Sequence, residues 1–315
     1  MTEVELEALA GAVRTAPGLL AKRDLELVAR LGADIDGDDA ALIPHGDEQI
    51  VVCGEAIAPG FVASDPRAAG AAAVVTNVSD VRAMGGRPLA IVDMLVSPDR
   101  EHAEAVLDGL RRASELLGVP IAGGHLTLGH APALSASCTG VVRVPLRASA
   151  ARPGDVLLAA FSLEGRYLDA TGTFFSSLAD RPAERLRTDG DALVEVAEQR
   201  LCHAARDVSM PGVAGSLLQM IDVAGCGAVL DVERLPRPEG AALERWLLTF
   251  PTFGFLLAAP AEAAEAACAV FTERGLACAP CGRFEDGHAL RLAAGAASVE
   301  VWDLMREPLT RRPAS

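Results

Sequence analysis

An α+β protein built as two domains is what the sequence predicts, and three observations carry that expectation. The chain has 315 residues, about twice a typical domain. Half of the residues are hydrophobic and 23% are charged, which provides apolar material for real cores and excludes global disorder. Hydrophobic patterns in the first half run strand-strand-helix-strand-helix-strand-strand, a complete α+β unit. A polar stretch with Pro and Gly at 147–154 (RASAARPG) then marks a boundary, so the domains are placed at 1–148 and 149–315.

The elements follow in order. Apolar residues at three- and four-residue spacing predict helices over 4–15 and 19–31. Gly37-Asp38-Asp39 breaks into a short strand at 40–43, and 49–58 reads as a second strand. Asp65-Pro66 opens a long helix, with Asp as N-cap and Pro in the first turn, running to Met84. Gly85-Gly86-Arg87-Pro88 stops it before a strand at 89–96. An amphipathic helix over 101–117 and strands near 120–123 and 133–144 complete the first unit. The second begins with a strand at 155–162 and continues with helices near 191–205 and 213–224 and a strand at 228–232. A helix near 241–248, a strand at 253–259, a helix over 262–274 and three strands between 276 and 302 finish it.

Composition narrows the function. Only 4% of residues are aromatic, so the cores are expected to be built from Ala, Val and Leu. A net charge of −15 repels nucleic-acid phosphates, which argues against a nucleic-acid partner. No apolar run approaches the roughly 18 to 20 residues of a membrane span. The acidic amino terminus lacks the basic start and apolar run of a secretory signal, so the expected setting is cytoplasmic. Lys22 is the only lysine and sits in LLAKRDLELV, a helical pattern without glycines. A glycine-rich phosphate loop ending in lysine is therefore excluded. Phosphate contacts are expected from arginine, backbone N–H groups or carboxylate-held metal, not from Lys22. The seven cysteines lie in apolar segments and read as small buried hydrophobes. The close pair Cys278-Ala-Pro-Cys281 leaves a redox or metal module as a minor alternative.

Four segments place polar groups where a plain core would not. Adjacent carboxylates in Gly37-Asp38-Asp39-Ala40-Ala41 repel each other unless a cation or water separates them, though such pairs also occur as solvated turns. In Thr76–Pro88, Asn77, Asp80 and Met84 share one helix face, which reads equally as a solvent-facing stripe. Gly123-Gly124-His125 follows a short apolar strand and allows close backbone approach to a ligand, or forms an ordinary turn. Asp207-Val208-Ser209 precedes a helix whose N–H groups suit an anion, or serves simply as a cap.

In this order the four segments resemble the signature set of the superfamily of aminoimidazole ribonucleotide synthetase, thiamine-monophosphate kinase, selenophosphate synthetase and the hydrogenase-maturation dehydratase. They match as Gly37–Ala41 (G-D-D-A-A), Asn77–Pro88 (N-x-x-D-x-x-A-M-G-x-x-P), Gly123–His125 (G-G-[DEH]) and Asp207–Ser209 (D-[IV]-[ST]). Asn77–Pro88 is the most specific of these. The resemblance implies a PurM-like architecture: a mixed-sheet amino-terminal domain that dimerises and a carboxy-terminal α/β sandwich. It implies Mg²⁺ and ATP as cofactors, with Asp38, Asp39, Glu55 and Asp80 holding metal and Asn77, Gly85, Gly123, Gly124 and Asp207 contacting nucleotide. Asp80 and His125 are the implied catalytic residues. Mg²⁺ chemistry agrees, because the ion needs hard oxygen ligands and a few carboxylates beside phosphates.

Departures from the pattern matter. Glu55 stands where relatives commonly carry Asp. His125 resembles the G-G-H of selenophosphate synthetase, and because imidazole is a poor Mg²⁺ ligand it is assigned to phosphate or substrate. The reactive Cys or selenocysteine of selenophosphate-making relatives is missing, and Met210-Pro211 replaces a second acid of the thiamine-phosphate kinase. The expected function is Mg²⁺-ATP-dependent phosphoryl transfer to, or phosphate activation of, a small-molecule acceptor. Ring-closing synthetase chemistry and a non-catalytic nucleotide-binding subunit are the alternatives.

Overall fold

The computed structural model of the protein describes residues 1–29, 37–168 and 172–310. Its first part comprises α1 (Glu3–Arg14), α2 (Pro17–Leu20), α3 (Glu26–Ala29), β1 (Ala41–His45), β2 (Glu48–Ile57), α4 (Pro59–Ser64), α5 (Pro66–Ala83), β3 (Arg87–Ser97), α6 (Arg100–Leu117), β4 (Ile121–Leu128) and β5 (Ala133–Val142). The second comprises β6 (Val156–Phe161), β7 (Arg166–Tyr167), β8 (Phe174–Ser176), α7 (Ala183–Thr188), α8 (Asp191–Glu198), β9 (Ala204–Asp207), α9 (Gly212–Ala224) and β10 (Gly227–Asp231). It continues through α10 (Leu243–Leu247), β11 (Phe250–Pro251), β12 (Gly254–Ala259), α11 (Ala264–Thr272), β13 (Ala277–Glu285), β14 (Ala289–Ala294) and β15 (Ala297–Asp303).

The first sheet has the order β1-β2-β5-β3-β4 and is mixed: β3 runs parallel to β4 and antiparallel to β5. The second has the order β15-β14-β10-β13-β6-β12-β9, and β11-β8-β7 form a small third sheet. Two sheet-containing units of mixed α/β structure therefore agree with the expected architecture.

Helix α5 starts as its sequence dictates. Asp65 Oδ1 accepts the Ala68 N–H at 3.0 Å, and Pro66 occupies the first turn. It lies against α6 through two glycines. A Cβ on Gly70 would stand 2.1 Å from the Val106 carbonyl oxygen, and one on Gly109 2.0 Å from that of Arg67. Both helices cover one face of the first sheet. On the other face Ile43, Val92 and Met94 are 50%, 44% and 48% exposed, so an apolar surface is left uncovered.

Three elements differ from expectation. The helix predicted over 19–31 is divided into α2, a 3-10 turn at Ala21–Leu25 and α3, with residues 30–31 outside the described ones. Gly18 explains the interruption in part: a Cβ there would lie 2.3 Å from the Met210 carbonyl oxygen, so the segment is held by a tertiary contact rather than by its own period. The helix predicted over 191–205 ends at Glu198, because Arg200 turns with φ +57° and β9 then pairs with β12. Finally, Gly123-Gly124-His125 lies inside β4, which extends to Leu128 and pairs with β3 throughout, rather than in a turn.

Helix α1 contributes Leu6, Leu9, Ala10 and Val13 to the same core as Val299, Val301 and Trp302, so the start of the chain packs on the second sheet. Among the described residues no helix is long and apolar enough to cross a membrane.

Candidate functional site

A cavity of about 410 Å³ opens where α5, the end of β2 and residues 37–39 meet β9 and α9. Helix α5 lines it with Ala72, Thr76 and Asp80, four residues apart and hence on one face. The face inferred from sequence, Asn77 with Asp80, is thus corrected. Asn77 is fully buried toward the sheet; its Nδ2 donates to the Ala73 carbonyl at 2.8 Å and its Oδ1 accepts from Cys53 Sγ at 3.5 Å. Residues 72–83 are buried almost all round, so no amphipathic stripe existed to show which face meets the cavity.

Six carboxylates line it, Asp38, Asp39, Glu55, Asp80, Asp207 and Asp222, and the charges of Asp39, Glu55, Asp80 and Asp207 act on one another. Asp39 Oδ1 pairs with Arg206 Nη2 at 3.1 Å, and its Oδ2 accepts the Asp207 N–H at 3.0 Å. Arg206 also donates from Nη1 to the Gly37 carbonyl at 3.1 Å, which closes residues 37–39 onto β9. Asp38 Oδ1 accepts the Ala148 N–H at 2.7 Å and so ties the same segment to the inter-unit connection. Three side-chain atoms of this group are buried without any hydrogen-bond partner: Asp80 Oδ2, Asp207 Oδ2 and Arg206 Nε. Gln219 Oε1 on α9, also at the cavity, is a fourth.

Buried carboxylates left in this state resist ionisation. Burial pushes Asp80 well above the ordinary aspartate range, and the charges of Asp207, Glu55 and Asp39 push it further. Asp207 is raised in the same way, by burial and then by Asp39. Burial also raises Asp39, outweighing the Arg206 guanidinium beside it. Glu55 keeps contact with cavity solvent, yet is raised by desolvation against the cavity wall, with Lys22 opposing. Each orphaned oxygen represents a lost hydrogen bond of about 1–3 kcal/mol, and a cation would satisfy two of them at once. The donor set is all oxygen, which suits Mg²⁺. Among the described residues no three such groups already surround one point, so incoming ligand oxygens would have to complete the coordination.

Lys22, set aside on its sequence context, lies at the site: it is half-buried in the cavity wall, and its charge lowers the pKa of Asp39, Glu55, Asp80 and Asp207. The helical pattern around it is real only in fragments, and the turn at Ala21–Leu25 brings it to the acids. Arg206 and Gln219 were also missed. Arg206 adjoins the matched Asp207, but nothing in the sequence marks Gln219.

Several expected residues do not reach this cavity. Gly85 ends α5 with φ +73°, and a Cβ there would come within 3.0 Å of Ala197 Cβ, so it serves the turn and the packing between units. Gly123 and His125 lie on β4, opposite Val92 and Met94, on the uncovered sheet face. A Cβ at Gly124 would stand 2.2 Å from Asp93 Oδ1, so this glycine makes room for a buried carboxylate. The Cys278/Cys281 reading is also revised: Cys281 is fully buried in the core, and the thiol nearest Cys278 is Cys268, Sγ to Sγ 3.4 Å.

The molecule is thus a two-unit, mixed-sheet α/β protein with an acid-lined cavity between the units. Residues 37–142 match the family described as AIR synthase related protein, N-terminal domain, and 152–295 match its C-terminal domain. The chain belongs to this AIR synthase-related family. It is 34% identical over 303 residues to the uncharacterised protein sll0787 of Synechocystis sp., covering 93% of this chain and 94% of that one. Its fold is similar to that of T. maritima PurL complexed with ATP (TM-score 0.73, 20% identity), over 88% of this chain but 47% of that one. The chain therefore spans about half of PurL. It is also similar in fold to AaThiL complexed with AMPPCP and TMP (TM-score 0.66, 19% identity), over 89% of this chain and 95% of that one.

Proposed function

We propose that the protein uses Mg²⁺-ATP to transfer a phosphoryl group to, or activate with phosphate, a small-molecule acceptor, and is thus an ATP-dependent phosphotransferase or ligase. The observation that carries this reading is the set of converging carboxylates with orphaned oxygens at Asp80 and Asp207. Solved proteins of the same fold complexed with ATP or AMPPCP support a nucleotide as the ligand.

In this reading Asp80, Asp207, Glu55 and Asp39 hold the metal, and Asp38 keeps their loop in position through the Ala148 N–H. Bound there, Mg²⁺ would offset charge on the transferring phosphoryl group. Arg206 and Lys22 supply the cationic contacts to phosphate oxygens, Arg206 through the Nε that has no protein partner. Burial of Asp39, Asp80 and Asp207 excludes water from their oxygens, which strengthens the charge interactions they make. The orphaned Gln219 Oε1 and the apolar walls at Ile57, Phe61 and Val223 orient the bound organic groups.

The proposal includes a homodimer formed through the uncovered face of the first sheet. Its exposed Ile43, Val92 and Met94 would otherwise face water, and pairing would place His125 and Gly123 at the subunit boundary. The division at 148/149 leaves most metal ligands on the first unit, while the second contributes Arg206 and Asp207 and faces the acceptor. Seven free thiols fit a reducing, cytoplasmic setting.

Calorimetric titration with ATP, with and without Mg²⁺, followed by phosphate release across a panel of small acceptors, tests the reading. Magnesium-dependent binding with acceptor-stimulated turnover is expected. Equal affinity with and without the metal would sink it, and metal-dependent binding with no turnover on any acceptor would leave a nucleotide-binding subunit instead.

A further inference from the structure

Two residues beyond Asp80, and so roughly 200° round the same helix, Arg82 points away from the acidic cavity into a second one. This space of about 150 Å³ lies where the end of α5, the start of β3, the loop after α6 and the α7–α8 junction meet. Three arginines line it, Arg82, Arg87 and Arg187, against a single acid, Asp191. In a chain of net charge −15 such a concentration of guanidinium groups needs a reason.

Arg82 is 5% exposed, and a guanidinium cannot shed its charge by deprotonation. Its Nη2 donates to the carbonyls of Leu186 and Arg187 at 3.3 and 3.5 Å, the end of α7. Among the described residues no carboxylate lies within ion-pair distance, and Nε and Nη1 donate to no protein atom. The nearby Asp189 is already occupied by Arg181, through bonds of 2.6 and 2.7 Å. Gly190 makes room for this side chain: a Cβ there would stand 2.1 Å from Arg82 Nε. Gly190 is also the N-cap of α8 and provides no side-chain cap; the Ala192 and Leu193 N–H groups donate instead to the Asp189 and Gly190 carbonyls, at 3.2 and 3.1 Å. Arg187 is anchored by its Nε and Nη2 on the Glu115 carbonyl, at 3.3 and 2.9 Å. Arg87 donates its Nη1 to Glu198 at 3.1 Å.

A buried guanidinium with no carboxylate at ion-pair distance, beside two further guanidinium groups and a single acid, Asp191, is complementary to a tetrahedral oxyanion. We infer that the Arg82–Arg87–Arg187 cavity binds a phosphate group, as inorganic phosphate or as the head of a small phosphate monoester. The ligand would bridge the two units, since Arg82 and Arg87 come from the first and Arg187 and Gly190 from the second. This inference does not rest on the reading of the acidic cavity.

Calorimetric titration of the full chain with inorganic phosphate, free of nucleotide and Mg²⁺, tests it, with glycerol phosphate as a separate arm. Saturable binding at millimolar concentration or below is expected, and the tighter of the two arms identifies the source of the phosphate group. Arg187→Ala, at an exposed position that leaves the core intact, should weaken binding about tenfold, and Arg82→Gln at least as much, the loss expected for a charge-assisted hydrogen bond. Arg100→Gln, at an exposed arginine at the start of α6 that lines neither cavity, should leave phosphate affinity unchanged. No saturable binding by wild type, unchanged affinity in Arg187→Ala, or loss in Arg100→Gln would each overturn the assignment. Should Arg82→Gln fail to fold, Arg187→Ala decides alone.

Discussion

Replacing Asp80 by Asn should stabilise the metal-free protein while weakening its metal-dependent binding of nucleotide. Asp80 Oδ2 is buried and unpartnered, and burial together with Asp207, Glu55 and Asp39 raises its pKa well above 3.8. A raised carboxyl pKa means that the folded state holds its proton longer than the unfolded chain does. The associated stability is therefore present below the ordinary aspartate value and is lost as pH rises through the folded one. Metal-free wild type should accordingly be less stable at pH 8 than near pH 5. Lys22 and Arg206 temper this without removing it. Asparagine fills nearly the same volume without the charge that Asp207, Glu55 and Asp39 repel. The gain at pH 8 should be about 1–3 kcal/mol, or roughly 2–6 °C in Tm at a few degrees per kcal/mol. Thermal unfolding in chelator at both pH values reads the first effect. Titration of an ATP analogue with Mg²⁺ reads the second, expected to fall roughly 10- to 100-fold for one lost charged ligand. Destabilisation of Asp80→Asn at pH 8 together with wild-type magnesium dependence would refute both the electrostatics and the metal assignment.

Other positions give independent checks. Lys22→Ala should lower Mg²⁺-ATP affinity about tenfold, as the loss of one charge-assisted contact; an unchanged affinity in calorimetry would return Lys22 to the role its sequence context suggested. Gly109→Ala drives a Cβ to 2.0 Å from the Arg67 carbonyl oxygen at the α5–α6 contact. Overpacking there should cost about 1–3 kcal/mol, seen as a lower denaturant midpoint, and a wild-type midpoint would mean that the helices separate more easily than their packing implies. Met94→Glu puts a charge on the uncovered sheet face, where Met94 is 48% exposed. Sedimentation should show wild type as a dimer and the variant shifted to monomer, whereas a wild-type monomer at micromolar concentration would remove the proposed interface.

The two-unit architecture was legible in the sequence because its signals are local. Asp65-Pro66 caps and starts α5 through its own first turn, Gly118 ends α6 in the left-handed conformation, and alternation along β5 reflects one covered and one open sheet face. Asp39, Asp80 and Asp207 could be singled out because carboxylates inside apolar segments have no place in a plain core, and the order of their motifs resembled a known superfamily. What the sequence could not decide is which groups meet. Asp80 and Arg82 are two residues apart, yet they face different cavities because α5 is buried between its sheet, α6 and the second unit, and burial on every side erases the period that would show direction. Lys22 joins the acids through a break in its helix that follows the tertiary contact of Gly18 with Met210, and Arg206 is held to Asp39 from 167 positions along the chain. Such pairings depend on long-range packing, where the energy of burying and pairing charge outweighs local propensity, so only the tertiary structure assembles the site.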